Sequence, residues 1–158
     1  MSLARVLVTG VGGRSVGHQI LQALALLEDK YSVVATDADA FSYGLYQVRD
    51  RYVVPRADDP RYLAAIRRLI QQERIDVVLP GTEAEVAALE RGRPELGCAL
   101  IASPQFVLDL CGNKKRLADW LPPNGFLSPR TVEKHVASVL AKTGLRRSQL
   151  AGYAAQLD

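Results

Sequence analysis

The sequence predicts an α/β protein: an open parallel sheet of about five strands with helices on both faces, followed by a short helical tail. Short apolar runs rich in β-branched residues recur along the chain, and each is closed by a turn-forming residue, as buried strands are. Between them lie segments with apolar residues at three- and four-residue spacing, which is typical of helices packed on a sheet. These two patterns alternate, which favours parallel strands joined by crossover helices.

Length and composition limit the possible classes of protein. The chain has 158 residues, enough for one well-buried core and a short appendage, and 48% of them are hydrophobic. No apolar run approaches the ~20 residues that cross a bilayer, and the N-terminus lacks a signal-peptide pattern, so we expect a cytoplasmic protein without a membrane partner. Two cysteines are too few for a disulfide scaffold and lack zinc-ligand spacing.

The first structural unit runs from Ala4 to Asp37. Arg5 to Thr9 is an apolar run that ends in a glycine cluster, and Tyr31 to Thr36 is a second such run. The segment between them is predicted to be helical, with an apolar face formed by Ile20, Leu21, Leu24 and Leu27. A strand, glycine turn, helix and strand in this order predict the opening of a Rossmann-like domain.

The glycine cluster is the first candidate site. Gly10, Gly12, Gly13 and Gly17 allow close backbone approach where a helix would point free N–H groups at an anion, although they could equally serve only a tight turn. Ser15 stands where the dinucleotide fingerprint requires its third glycine, so NAD binding is not expected. Asp37 occupies the position of a ribose-binding acid but is also an ordinary residue after a strand. The candidate ligand-binding residues here are Gly10, Gly12, Gly13, Arg14, Ser15 and Asp37.

The next elements continue the alternation of strands and helices. We predict a loop with a helical turn over 37–51 and a strand over 52–54. A helix should begin at Asp58-Asp59-Pro60, with a side-chain cap before proline in the first turn. Its buried face is predicted from the spacing of its apolar residues. The members of that face are Leu63, Ile66, Leu69 and Ile70. A central strand is predicted over 75–79.

A second candidate site follows that strand. Pro80 and Gly81 turn the chain, and a helix should begin there with Thr82 as its cap. Ligands of open α/β sheets collect at this edge, so Thr82, Glu83 and Glu85 are candidates for contact with a substrate ammonium or hydroxyl. The alternative is that the two acids only complement the helix dipole.

The remaining pattern defines the domain organisation. A fifth strand is predicted over 98–102, and two helices follow, the second over 114–121 and broken by Pro122-Pro123. We therefore expect a Rossmann-like domain over residues 1–121 and a helical tail over 122–158. His18 and His135 have no partner at ligand spacing, so no metal site is predicted.

Several blocks in one order resemble a known family. They are VLVTGVGG, VVATDAD, DRYVVP, DDPRYLAAI, IDVVLPGTEAEV and SPQFVLDLCGNKKRLADWLPPNGFLSPRT. Over about the first 130 residues the chain resembles the N-terminal pre-ATP-grasp domain of the ATP-grasp superfamily, the nearest type being the large subunit of carbamoyl-phosphate synthase and related carboxylate–amine ligases. The resemblance assigns Gly12 and Gly13 to the glycine turn and Asp37 to the second strand end. It places Thr82, Glu83 and Glu85 beside the acceptor-substrate pocket.

The resemblance also concerns cofactors and partners. Complete family members hold ATP and Mg²⁺ between two further subdomains, whose residues are not found before Asp158. We therefore expect no catalytic residue, cofactor or metal in this chain. Phosphoryl transfer depends on metal ions and positively charged groups placed around the γ-phosphate. The expected role is an inactive scaffold or substrate-side module whose partner is the missing ATP-grasp catalytic portion.

The tail permits two further hypotheses. LSPRTVEKHVASVLAKTG also resembles the recognition helix of a LuxR-type helix-turn-helix, in which Arg130, Thr131, Lys134 and His135 would face DNA. Against this, PPNGF makes the preceding turn longer than usual. The other hypothesis is a homodimer formed through an amphipathic helical hairpin.

Overall fold

The computed structural model describes residues 3–121 and 129–144. The chain divides into two compact units, Met1–Leu108 and Asp109–Asp158. The domain boundary predicted after Leu121 stays a prediction.

The first unit contains a single sheet within its described residues, with five strands that are all parallel. The strands are β1 (Ala4–Thr9), β2 (Tyr31–Asp37), β3 (Asp50–Val53), β4 (Val77–Leu79) and β5 (Ala99–Leu100). Their order across the sheet is β3-β2-β1-β4-β5. In this register Thr9 pairs with Thr36, and Val6 pairs with both Val33 and Val77. The predicted α/β class with a five-stranded parallel sheet is confirmed.

Six helices lie in the described residues, of which the first three connect strands and the last three follow β5. They are α1 (Val16–Ala25), α2 (Tyr62–Glu73), α3 (Glu83–Arg91), α4 (Gln105–Cys111), α5 (Lys114–Trp120) and α6 (Pro129–Thr143). Short 3₁₀ turns lie at Tyr43–Gln47 and Arg93–Glu95. The first turn corresponds to the helical turn predicted within the loop after β2.

The core has one layer on each face of the sheet. Alternate residues along the strands face opposite sides, so Val6 and Val8 pack with Leu21 of α1, whereas Leu7 packs with Ile66 of α2. Helix α1, between β1 and β2, and the 3₁₀ turn between β2 and β3 therefore cover one face. Those made by α2 and α3 cover the other, as right-handed crossovers require when the strand order reverses. The reversal lies between β1 and β4.

Two predicted helix boundaries are wrong. Helix α1 ends at Ala25, so Leu27 lies beyond it and is 38% exposed. Helix α2 begins at Tyr62 and not around Pro60, because the Asp59 carboxylate accepts a hydrogen bond from the Arg61 N–H at 2.8 Å in the turn that precedes the helix. The predicted inward face therefore gains Tyr62, which is 1% exposed, while Leu63 is only partly buried.

An ion-pair network joins the strands at the amino edge of the sheet. The Arg5 guanidinium donates to Asp50 Oδ2 at 2.9 Å and to Ser32 Oγ at 2.9 Å, and it also donates to Glu73. The Tyr52 hydroxyl donates to the same Glu73 carboxylate. These hydrogen bonds, with Tyr52 the largest cause and Arg5 the next, hold the pKa of Glu73 below its ordinary value. The network connects β1, β2 and β3 to the end of α2.

The second unit is helical where it is described. Asn113 caps α5 by accepting from the N–H groups of Lys115 and Arg116 at 3.0 and 3.1 Å, and Lys115 pairs with Asp119 at 2.8 Å. Pro129 is the first residue of α6, as predicted. The predicted cap Ser128, the PPNGF turn and the segment after Gly144 lie outside the described residues. None of the helices in the described ranges is both long and apolar enough to span a membrane.

Candidate ligand site at the carboxyl edge of the sheet

Three chain segments meet where β1, β2 and β4 end. Gly10 follows β1, Asp37 ends β2, and Gly81 with Thr82 follows β4. The strand order reverses between β1 and β4, and open α/β sheets bind ligands at the carboxyl ends of the strands beside such a reversal. This edge therefore defines the candidate site.

Glycines allow these segments to touch. A Cβ at Gly17 would lie 2.6 Å from the Thr9 carbonyl oxygen, and one at Gly81 would lie 2.6 Å from Gly17 Cα. No side chain fits at such distances without a backbone shift. Gly17 and Gly81 thus bring the start of α1 and the turn after β4 against the end of β1.

The glycine turn itself is fixed by Ser15. The Ser15 hydroxyl caps α1 by accepting from the His18 N–H at 3.1 Å, and it donates to the Gly10 carbonyl at 2.7 Å. Gly10 and Arg14 have positive φ angles of 60° and 63°. Gly13 and Arg14 are exposed at the tip of the turn.

Glu85 is the acidic side chain that the fold draws inward. Glu85 is only 7% exposed, although it lies in the first turn of α3. The Thr82 hydroxyl donates to Oε2 at 2.9 Å and accepts from the Glu85 N–H at 3.3 Å, so Thr82 caps the helix as predicted. On the other side, the Tyr62 hydroxyl of α2 donates to Oε1 at 3.4 Å. The carboxylate is held between two helices.

Burial sets the electrostatics of this group. Desolvation raises the pKa of Glu85 above its ordinary value, the negative charge of Asp37 adds to the rise, and the hydrogen bond from Thr82 partly opposes it. Burial, followed by the charge of Glu85, also raises the pKa of Tyr62, which therefore remains a hydroxyl donor. Ionised Glu85 is thus a costly charge that a cationic ligand would relieve.

A cavity of about 250 Å³ opens beside this carboxylate. Its wall includes three carboxylates, Asp37, Asp58 and Glu85. Arg56 is the cation in the wall, but it already pairs with Asp58 at 3.3 Å, and 79% of its side chain is exposed. The local charge around the cavity is therefore negative.

The structure separates the predicted site residues into two groups. Gly10, Asp37, Thr82 and Glu85 come together in the cavity wall. Glu83 is exposed at the first position of α3 and does not line the cavity. The remaining predicted residues form the adjoining glycine turn; they are Gly12, Gly13, Arg14 and Ser15.

Sequence reasoning did not identify Asp58 or Tyr62 as site residues. The sequence predicts Asp58 only as part of a helix cap, and it predicts that the buried face of α2 starts at Leu63. One sequence signal could have singled out Glu85: it stands three residues after the cap Thr82, the spacing that turns an acidic side chain back toward the cap.

The turn is a poor fit for a nucleotide phosphate. A Cβ at Gly12 would lie 3.5 Å from Asp37 Oδ2, and the Glu85 carboxylate packs directly against Gly10. Two carboxylates so close to the turn oppose a triphosphate. In the described ranges no three His, Cys, Asp or Glu side chains are grouped so that they could hold a metal ion.

The DNA-binding hypothesis concerns α6. Arg130 and Lys134 are exposed on this helix, whereas the side chains of Thr131 and His135 are outside the described part of the structure. DNA binding by these residues stays a prediction.

An open parallel sheet whose strand order reverses between β1 and β4 defines this chain as a Rossmann-like α/β domain. The family described as "PylC-like, N-terminal domain" matches residues 6–101, more than half of the chain. The chain therefore belongs to this family and is an ATP-grasp N-terminal domain, as the sequence predicted. The comparisons give no support to the LuxR resemblance of the tail.

Solved structures show the same fold. The biotin carboxylase subunit of a pyruvate carboxylase is 21% identical, with a TM-score of 0.57 over 78% of this chain and 28% of that chain. N5-carboxyaminoimidazole ribonucleotide synthetase from Thermotoga maritima is 20% identical, with a TM-score of 0.56 over 78% and 31%. N5-carboxyaminoimidazole synthetase from Staphylococcus aureus, solved with ADP, is 17% identical, with a TM-score of 0.58 over 79% and 31%.

This chain thus spans about three tenths of the length of these structures. At such identities the likeness establishes the fold alone. No curated protein matches the chain.

Proposed function

We propose that this chain is the substrate-side domain of an ATP-grasp carboxylate–amine ligase and that its cavity binds the amine substrate in its ammonium form. The observation that carries the proposal is the cavity wall, which combines the buried acid Glu85 with Asp37. An ammonium ion is a compact cation with three N–H donors. The carboxylates of Glu85 and Asp37 can accept those hydrogen bonds and neutralise its charge, while Asp58 already pairs with Arg56.

The charge balance favours a cation over an anion or a neutral hydroxyl. Ionising Glu85 is opposed by burial and by Asp37, so an incoming positive charge gains the attraction of both groups. Arg56 does not offset them, since it pairs with Asp58 and lies largely in solvent. A phosphate or carboxylate ligand would meet repulsion in the same cavity.

In this proposal the residues of this chain bind and orient the amine and do not catalyse. Thr82 and Glu85 would fix the ammonium at the carboxyl end of β4, and the glycine turn would shape the wall beside β1. ATP with Mg²⁺, held by an ATP-grasp catalytic portion acting as partner, would supply the activation of the carboxylate substrate. Holding the amine in one orientation lowers the entropic part of the barrier to that reaction, which the nitrogen would enter only after the ammonium had released a proton to a base and freed its lone pair.

NMR titration with two small ions of opposite charge tests the proposal. Ethylammonium should shift the amide signals of Gly10, Asp37 and Thr82, whereas acetate should leave them in place. The Glu85→Gln variant should lose the ethylammonium response, and the matched variant Glu83→Gln, which alters the exposed acid of the same helix turn, should retain it. Shifts caused by acetate at the glycine turn, or an unchanged response in Glu85→Gln, would reject an ammonium site.

A further inference from the structure

Tyr62 is the largest side chain in the core that is less than 2% exposed. It occupies the first position of α2, at the carboxyl edge of the sheet, and its hydroxyl lies 3.4 Å from Glu85 Oε1. A phenylalanine would fill the same apolar space against the core. The hydroxyl therefore needs an explanation beyond packing, since a buried polar group is costly unless it is hydrogen-bonded.

Glu85 is held from two directions. Thr82 donates to Oε2 from within α3, and Tyr62 donates to Oε1 from α2. Gly10 closes the space beside Oε2, because a Cβ there would overlap this oxygen. Without the contact from Tyr62, the carboxylate would lose the hydrogen bond that ties it to α2, and its terminal bond would be less restrained.

We propose that Tyr62 is a positioning residue, which orients the Glu85 carboxylate and stabilises its ionised form toward the cavity. The proposal rests on the proposed function, because it assigns Tyr62 a role in the same ammonium site. The Tyr62 hydroxyl donates to the Glu85 carboxylate, and this hydrogen bond favours the charged form of Glu85 over the protonated acid. Tyr62 does not itself line the cavity wall and acts through Glu85.

Other charged groups face Glu85. Asp37 lies at the end of β2, and Asp58 with Arg56 lies in the connection before α2. Among the neutral groups, Thr9 of β1 and Thr82 of α3 favour the ionised carboxylate, as Tyr62 does, against the effects of burial and Asp37. Removing one donor should therefore shift the Glu85 titration upward without abolishing it.

Carbon-13 NMR of the Glu85 side-chain carboxyl in the full chain tests the proposal without any ligand. In the Tyr62→Phe variant the titration midpoint should rise by about half a pH unit or more, roughly a threefold change in proton affinity. Placing 3-fluorotyrosine at position 62, whose more acidic hydroxyl donates more strongly, should lower it. Tyr52→Phe is the matched control, because it removes a hydroxyl that donates to a carboxylate at the opposite edge of the sheet.

Each outcome decides the proposal. An unchanged midpoint in Tyr62→Phe, or an equal rise in Tyr52→Phe, would overturn it. If Tyr62→Phe does not fold, the fluorotyrosine protein decides, and a midpoint that fails to fall would also overturn the proposal. Because these titrations contain no amine, they separate the role of Tyr62 from ammonium binding: failure of ethylammonium to bind would reject the proposed function while leaving the midpoints unaffected.

Discussion

Gly10 and the Glu85 carboxylate share one small space at the end of β1. A Cβ at position 10 would overlap Glu85 Oε2 and would lie 2.7 Å from the Thr82 methyl carbon. The first glycine of the turn and the buried acid after β4 are therefore parts of one arrangement, although their residue numbers differ by 75. Changing either residue should affect the other.

Substituting Gly10 tests this packing. Gly10→Ala introduces a side chain at a φ of 60° and against Glu85, so we expect the free energy of unfolding in urea to fall by about 2 kcal/mol. Gly13→Ala is the control, since a Cβ at Gly13 would meet no atom within 4 Å. Equal losses in the two variants would show that Gly10 is not packed against Glu85.

The Glu85→Gln variant should show a characteristic pH dependence of stability. The folded-state pKa of Glu85 lies above its ordinary value of 4.5, so the folded state keeps a proton that the unfolded state releases. Wild-type stability should therefore fall as the pH rises above about 4.5, and Glu85→Gln should escape that loss. In thermal unfolding, the stability of Glu85→Gln minus that of the wild type should therefore be greater at pH 7 than at pH 4. A difference independent of pH would contradict the raised pKa.

The amino-edge network should respond in the opposite direction. The hydrogen bonds from Tyr52 and Arg5 lower the folded-state pKa of Glu73, so the stability it contributes is present above about pH 4.5 and is lost as the pH falls through the lowered value. Glu73→Gln should therefore reduce stability at pH 7 and flatten the loss of stability on acidification. Urea unfolding of Glu73→Gln and the wild type at pH 7, 4 and 3 would measure these changes in stability, with Glu28→Gln, a change at an exposed residue, as control. An unchanged acid profile would exclude this role for Glu73.

The centre of the fold could be predicted because β1 and β2 are buried on both faces along most of their length. Arg5 to Thr9 and Tyr31 to Thr36 show as β-branched apolar runs, and both lie within observed strands. The start of α2 could not be predicted in this way, since Asp59 uses its carboxylate on the turn at Arg61 and delays the helix. That shift places Tyr62, and not a more distal residue, beneath the site.

The site was only partly predictable for a similar reason. Both Glu83 and Glu85 stand in the first turn of a helix, where either could simply complement the dipole. Only the packing of α3 against Gly10 and Tyr62 shows that Glu85 is the inward residue. The close approach of Gly17 and Gly81 is likewise a contact between segments distant in sequence, which no local pattern encodes.

The dissociation constant of ethylammonium, measured by NMR at pH 8 for the wild type and for Glu85→Gln, tests the central claim most directly. The account predicts saturable binding to the wild type and at least about tenfold weaker binding to Glu85→Gln, with Glu83→Gln close to the wild type. Equal dissociation constants for the wild type and Glu85→Gln would contradict the claim that this buried carboxylate holds the amine.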